Sequence, residues 1–104
     1  MTFGLDEQTI TRFQSVFRKY PEVESVIIYG SRAKGNYREG SDIDLTLVGE
    51  RVTDSIRSRI WLGLDALNTP YLIDLSIFKF LDSDSLVKHI QRCGRSFYKK
   101  AETE

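Results

Sequence analysis

The stretch Gly30–Leu45, GSRAKGNYREGSDIDL, indicates how this chain folds and where its chemistry lies. An apolar run from Val26 to Tyr29 precedes it and predicts a buried strand. Gly30 and Ser31 then turn the chain into a short helical segment, predicted over 31–34. Backbone N–H groups at such a turn point outward and can cradle phosphate oxygens. The stretch therefore predicts an anion site at the end of a strand.

Two aspartates follow the turn, at Asp42 and Asp44 in a strand predicted over 41–49. Side chains two residues apart on a strand project from the same face, so both carboxylates lie together while the alternate apolar residues face the core. Two carboxylates that close repel one another unless a cation lies between them. Mg²⁺ is the natural candidate because it takes hard oxygen ligands and shares its coordination shell with phosphates.

A third acidic residue, Asp74, falls on the non-core face of the next strand, predicted over 71–80. Pairing of the two strands would bring Asp74 within a few ångströms of Asp42 and Asp44. Such a cluster suits two Mg²⁺ ions ~3.5 to 4 Å apart, which clamp the attacking and leaving oxygens of an in-line displacement at phosphorus. We expect all three aspartates to be metal-binding and catalytic residues.

The remaining pattern predicts one α/β domain over residues 1–104, a short mixed sheet of three strands with helices packed on one face. The other expected elements are a helix over 6–20, a strand over 23–29, a helix over 53–67 and a last helix over 83–99. The last helix should bury Phe97, with Gly94 weakening it by ~1 kcal/mol relative to alanine. Nothing in the sequence places His89 near the aspartates, so we interpret it as a surface or partly buried residue.

The amino-acid composition argues against several classes of protein. Fifteen basic residues balance fifteen acidic ones, so no global basic field supports nucleic acid as a direct substrate. The one cysteine, Cys93, cannot form an internal disulfide, which fits a reducing cytoplasm. We expect neither a signal peptide nor a membrane-spanning helix, because the apolar runs are only a few residues long.

The spacing in the opening stretch resembles a known signature. Gly30-Ser31, ten residues and then Asp42-Ile43-Asp44 is similar to the motif of the DNA polymerase beta-like nucleotidyltransferases. The whole stretch resembles the minimal nucleotidyltransferases, short proteins often encoded beside a HEPN-domain partner. The resemblance implies a polymerase beta-like fold. It also implies that Asp42 and Asp44 bind both metals, and that Asp74 binds the catalytic metal and acts as general base.

Five residues are expected to bind the nucleotide. Gly30 lets the backbone approach a phosphate, and the Ser31 hydroxyl and N–H can donate to the β- and γ-oxygens. Arg32 or Lys34 could neutralise pyrophosphate. The complete predicted set is Gly30, Ser31, Arg32, Lys34 and Ser41.

The resemblance implies that the chain transfers AMP from ATP to a tyrosine of a HEPN-domain toxin and acts as its antitoxin. A first alternative is a catalytic subunit that nucleotidylates a small molecule held by a separate helical subunit. A second is an antitoxin that neutralises its partner by contact alone. Because we expect a shallow open face, the acceptor should come from another protein. Base preference and oligomeric state, including a homo-oligomer, stay open.

Overall fold

The structure, a computed structural model, describes residues 2–101, and within them four strands form one sheet accompanied by four helices. Met1 and residues 102–104, the two ends of the predicted domain, lie outside the described residues. The elements in chain order are α1 Glu7–Arg18, β1 Ser25–Tyr29, α2 Ser31–Lys34, β2 Ile43–Val48, α3 Asp54–Asp65, β3 Ile73–Ile77, α4 Asp84–Cys93 and β4 Arg95–Lys99.

The strands are arranged in the order β3-β2-β1-β4. Strand β2 pairs parallel with β3, whereas β1 pairs antiparallel with both β2 and β4. The predicted α/β class with a mixed sheet is confirmed. The alternation along β2 has the predicted result, because Ile43, Leu45 and Leu47 are fully buried on one face.

Helices α1 and α3 cover that apolar face. The Asp6 carboxylate caps α1 by accepting from the Thr9 N–H at 2.7 Å. Thr53 caps α3, its hydroxyl accepting from the Ile56 N–H at 3.2 Å. The two helices contribute the buried side chains Phe13, Val16, Phe17, Ile60 and Leu64 to the core.

The prediction of a helix over 83–99 is wrong in its second half. Helix α4 ends at Cys93, and residues Arg95–Lys99 form β4 at the edge of the sheet. The change occurs at Gly94, whose backbone is extended and whose missing Cβ leaves room for the Ile90 carbonyl and for Ile27. The Phe97 ring is buried as expected, but it is buried from a strand, 6.1 and 6.2 Å from the Phe13 and Phe17 rings.

The prediction that helices pack on one face needs a second correction. Ile27 of β1 pairs with Thr46 and Tyr29 pairs with Asp44, so both lie on the face that carries Asp44. Helix α4 packs on that face, because Gly94 lies against Ile27 and the His89 ring lies 6.3 Å from the Tyr29 ring. On the acidic face, Asp42 and Asp74 are therefore exposed, whereas Thr46 in the middle of β2 is fully buried and α4 packs over β1.

The third strand is shorter than predicted. It ends at Ile77, its last pairing partner being Leu47, and the next three residues, Phe78–Phe80, form a 3-10 turn. The predicted faces are nevertheless observed, with Leu75 and Ile77 buried and Asp74 exposed. Across residues 2–101, no helix has the length and apolar character needed to span a membrane.

Candidate active site

The turn after β1 brings backbone directly against a carboxylate. Gly30 has φ 76° and ψ −154°, a conformation open essentially only to glycine. A Cβ at this position would overlap Asp44 Oδ2. Helix α2 starts immediately afterwards, and the Lys34 N–H donates to the Gly30 carbonyl at 3.1 Å. The N–H groups of Ser31 to Ala33 precede that bond and have no intrahelical acceptor.

The three predicted aspartates lie at one end of the β2–β3 pair. Asp44 and Asp74 are direct partners in the parallel register, which places their side chains next to each other on the same face. Asp42 comes one residue before β2 begins. Asp42 and Asp74 are exposed, whereas Asp44 is half-buried between them and the Gly30 turn. The structure thus brings together the residues that the sequence singled out.

The charges at this end of the sheet are not balanced. Burial raises the pKa of Asp44 above its usual value, the negative charges of Asp74 and Asp42 raise it further, and His89 lowers it. Within residues 2–101, no three histidine, cysteine, aspartate or glutamate side chains already stand in an arrangement that holds a metal ion. The carboxylates form an all-oxygen donor set of the kind that Mg²⁺ prefers, and the pKa of Asp44 is raised first by its burial and then by the neighbouring negative charges.

The other predicted nucleotide-binding residues have different surroundings. Ser31 is half-buried in the first turn of α2, and Lys34 is exposed at its end. Ser41 closes the loop before β2, with its hydroxyl accepting from the Arg38 N–H at 2.8 Å. Gly30 therefore borders Asp44, Ser31 and Lys34 follow it in α2, and the Ser41 hydroxyl is engaged within its own loop.

Arg32 has an environment that the sequence did not predict. Its side chain is 3% exposed, and its guanidinium donates to the backbone carbonyls of Ser41 and Phe3. To reach a phosphate on the open face, this side chain would have to break those hydrogen bonds and leave its buried position. The environment therefore does not favour the predicted nucleotide-binding role of Arg32.

Sequence reasoning missed two residues that line the site. Tyr29 is the partner of Asp44 on β1, and its pKa is raised first by burial and then by the charges of Asp74 and Asp44, against a hydrogen bond with Ser76. His89 of α4 packs edge-on against the Tyr29 ring. Period-two alternation from the buried Val26 and Ile28 could have placed Tyr29 on the acidic face. No sequence signal showed which face of the sheet α4 covers.

Asp44→Asn should stabilise the chain at neutral pH in the absence of divalent cations. A raised folded-state pKa means that the protonated carboxyl favours folding at low pH, and this contribution is lost as the pH rises through the raised pKa. We expect a gain of about 1 kcal/mol or less at pH 7, because solvent screens a half-exposed group, and no gain below a pH of about 3. Thermal unfolding in a chelator at both pH values measures it. Asp65→Asn, at an exposed aspartate on α3, is the control, and equal effects of the two variants would contradict the account.

Gly30→Ala should displace the Asp44 carboxylate, whereas Gly35→Ala should not. Both glycines have positive φ, but only Gly30 has Asp44 within reach of an added Cβ, and Gly35 faces open space. We expect losses of about 3 kcal/mol for Gly30→Ala and about 1 kcal/mol for Gly35→Ala in urea unfolding. The NMR signal of the Asp44 carboxyl carbon should move only in Gly30→Ala. An unchanged signal in that variant would show that the carboxylate does not rest against the turn.

Comparison with solved structures gives the same fold. A toxin–antitoxin structure with AMP-PNP matches with a TM-score of 0.69 at 21% identity, over 92% of this chain and 75% of that chain. The complex of a tri-AMPylated Shewanella oneidensis HEPN toxin with its MNT antitoxin matches with a TM-score of 0.67 at 15% identity, over 92% and 74%. A toxin–antitoxin MntA-HepT structure matches with a TM-score of 0.66 at 15% identity, over 91% and 74%. At these identities the likeness establishes a shared fold.

Sequence comparison identifies the family. No curated protein sequence matches significantly. The family profile described as polymerase beta, nucleotidyltransferase, matches residues 11–103, nearly the whole chain and all of the acidic site. The chain therefore belongs to the polymerase beta nucleotidyltransferase family.

Proposed function

We propose that this chain is a Mg²⁺-dependent nucleotidyltransferase that transfers AMP from ATP to a hydroxyl group of a partner protein. The observation that carries the proposal is the pairing of Asp44 with Asp74 beside the Gly30 turn. Outward backbone N–H groups and clustered carboxylates suit a triphosphate and its cations respectively. Membership of the nucleotidyltransferase family supports nucleotidyl transfer as the reaction that this site carries out.

The metal-binding residues in this proposal are Asp42, Asp44 and Asp74. Their oxygens fit Mg²⁺, and binding a cation would relieve the repulsion that raises the pKa of Asp44. Two Mg²⁺ ions would supply neutralisation of the phosphate charge and activation of the acceptor hydroxyl. The half-buried Asp44 is held by its strand and by the Gly30 turn, while the exposed Asp42 and Asp74 have room to adjust their side chains around a ligand.

The chain's own groups would orient the triphosphate and handle the proton. Gly30 and Ser31 present backbone N–H groups and a hydroxyl to the phosphates, and Lys34 neutralises charge on the departing pyrophosphate. The acceptor oxygen bonds to the α-phosphorus as the bond from that phosphorus to the pyrophosphate oxygen breaks. Asp74 takes the hydroxyl proton as general base, because its exposed carboxylate lies on the neighbouring strand directly beside Asp44.

We infer the nucleotide donor and the acceptor group from solved structures of the same fold. One such structure contains AMP-PNP, and another contains a tri-AMPylated HEPN toxin with its MNT antitoxin. By analogy, we infer ATP as donor and a tyrosine of a HEPN-domain toxin as acceptor, so that this chain is an antitoxin acting in the cytoplasm. Asp42 and Asp74 are exposed at the acidic end of β2 and β3, which leaves access for a side chain presented by another protein.

The experiment is incubation of the chain with Mg²⁺, α-labelled ATP and a candidate HEPN-domain partner protein. We expect label on a tyrosine of the partner, identified by mass spectrometry. Asp44→Asn should lower the rate at least about 100-fold, because several kcal/mol of charge stabilisation depends on this carboxylate. The exposed Asp65→Asn variant should retain the wild-type rate.

Three outcomes would contradict the proposal. Label on a small molecule would favour a catalytic subunit with a different acceptor. Neutralisation of the toxin that survives Asp42→Ala and Asp44→Asn, with no label on any protein, would favour inhibition by contact. Labelling that proceeds unchanged in Asp44→Asn would place the chemistry elsewhere on the chain.

A further inference from the structure

Arg32 is a buried cation bound by backbone carbonyls. Its Nε and Nη2 both donate to the Ser41 carbonyl, at 3.1 and 2.8 Å, and its Nη1 donates to the Phe3 carbonyl at 2.8 Å. A charged side chain is seldom as buried as 3% exposure without strong partners, because leaving water costs several kcal/mol per ion. Hydrogen bonds to carbonyl groups can offset much of that desolvation cost, since hydrogen bonds from a charged donor are stronger than those from a neutral donor.

Two aromatic rings complete the environment of the guanidinium. Its central carbon lies 5.4 Å from the centre of the Tyr37 ring and 4.8 Å from the centre of the Tyr71 ring. Gly4 packs against both the guanidinium and Tyr37, so closely that a Cβ there would collide with them. We name this arrangement of Arg32, its two carbonyl partners and the two tyrosines the Arg32 clamp.

The clamp joins three parts of the chain that the sequence separates. Arg32 belongs to α2, Ser41 ends the loop before β2, and Phe3 belongs to the N-terminal turn that closes between Thr2 and Leu5. The N-terminal turn lies before residue 11, where the match to the family begins. The anchor at Phe3 is therefore a feature of this chain outside the matched segment.

The loop that the clamp fixes leads directly to the first aspartate. Two hydrogen bonds join Arg38 and Ser41 into a tight turn. The Ser41 N–H donates to the Arg38 carbonyl at 2.9 Å, and the Arg38 N–H donates to the Ser41 hydroxyl at 2.8 Å. The Ser41 carbonyl belongs to the peptide bond that leads into Asp42. A forked hydrogen bond to this oxygen thus restricts the backbone that carries the Asp42 carboxylate.

We propose that Arg32 is a positioning residue that holds Asp42 in place for cation binding, through the Ser41 carbonyl and with the N-terminal turn as its second anchor. The inference rests on the proposed function, in which Asp42 binds a metal ion. It assigns Arg32 a role different from direct contact with the nucleotide. It also gives the N-terminal turn, which bears no metal-binding residue of the proposed site, a role in organising that site.

The test combines Mn²⁺ binding with amide hydrogen exchange. Arg32→Lys keeps the positive charge but cannot reproduce the forked donation to Ser41. We expect Arg32→Lys to weaken Mn²⁺ binding about 10-fold, as the loss of a partner that orients a metal ligand typically does. The same change in an Asp42→Asn background should weaken Mn²⁺ binding less than about 2-fold, because the ligand that Arg32 positions is already gone.

Hydrogen exchange tests the clamp independently of any metal. The amides of Arg38 and Ser41 should lose protection at least about 10-fold in Arg32→Lys, while amides of α1 keep theirs. Gly4→Ala disturbs the clamp from the N-terminal side and should cause the same loss of protection at Arg38 and Ser41. This variant replaces Arg32→Lys in the test if Arg32→Lys does not fold. Arg38→Lys, at an exposed side chain of the same loop, is the matched control and should change neither exchange nor Mn²⁺ binding.

The possible outcomes separate the two proposals. Equal weakening of Mn²⁺ binding by Arg32→Lys with and without Asp42 would overturn the positioning role. Unchanged protection of Arg38 and Ser41 in both Arg32→Lys and Gly4→Ala would overturn it as well. If the wild-type chain binds no Mn²⁺ and transfers no nucleotide, the proposed function fails. The role of Arg32 in positioning Asp42 for a cation then fails too, even where hydrogen exchange shows that Arg32 orders the loop.

Discussion

Like charges held side by side are the constraint on which the rest of this structure depends. Strands β2 and β3 run parallel in a register that makes Asp44 and Asp74 neighbours on one face. The Gly30 turn, which has room for Asp44 only because it lacks a Cβ, approaches from the other side. Such an arrangement opposes folding when the carboxylates are ionised, which is why burial and the neighbouring charges raise the pKa of Asp44.

The surrounding elements maintain that arrangement. Helices α1 and α3 bury the apolar sides of β1 and β2, so the strands cannot slip by one residue without exposing the core and turning the aspartates inward. Helix α4 covers the β1 part of the acidic face and brings His89 against Tyr29. The Arg32 hydrogen bonds restrain the loop that precedes Asp42. The rigid core thus supports a face whose outer carboxylates remain accessible.

Much of the fold and the cluster of aspartates could be predicted from the sequence, because period-two alternation decides which strand residues share a face. Asp44 and Asp74 were predicted as neighbours on this basis, and the register bears this out. Their proposed roles in metal binding and catalysis stay predictions. The Gly-Ser turn was predicted from local chemistry, since few residues other than glycine tolerate such a backbone.

The remaining features depend on contacts between distant parts of the chain. Phe97 follows Cys93 at helical spacing, so a strand over Arg95–Lys99 could not be distinguished from a continued helix without its pairing to β1. Helical periodicity shows which side of α4 is apolar but not which face of the sheet it covers. A charged residue such as Arg32 looks the same in sequence whether it binds a ligand or backbone carbonyls.

The most direct measurement of the central claim is anomalous diffraction from crystals grown with Mn²⁺ and a non-hydrolysable ATP analogue. The account predicts an anomalous peak in contact with Asp44 and at least one of Asp42 and Asp74, with the triphosphate against Gly30 and Ser31. It also predicts that the peak disappears in Asp44→Asn. A nucleotide bound at another surface, or Mn²⁺ bound away from these carboxylates, would contradict the account.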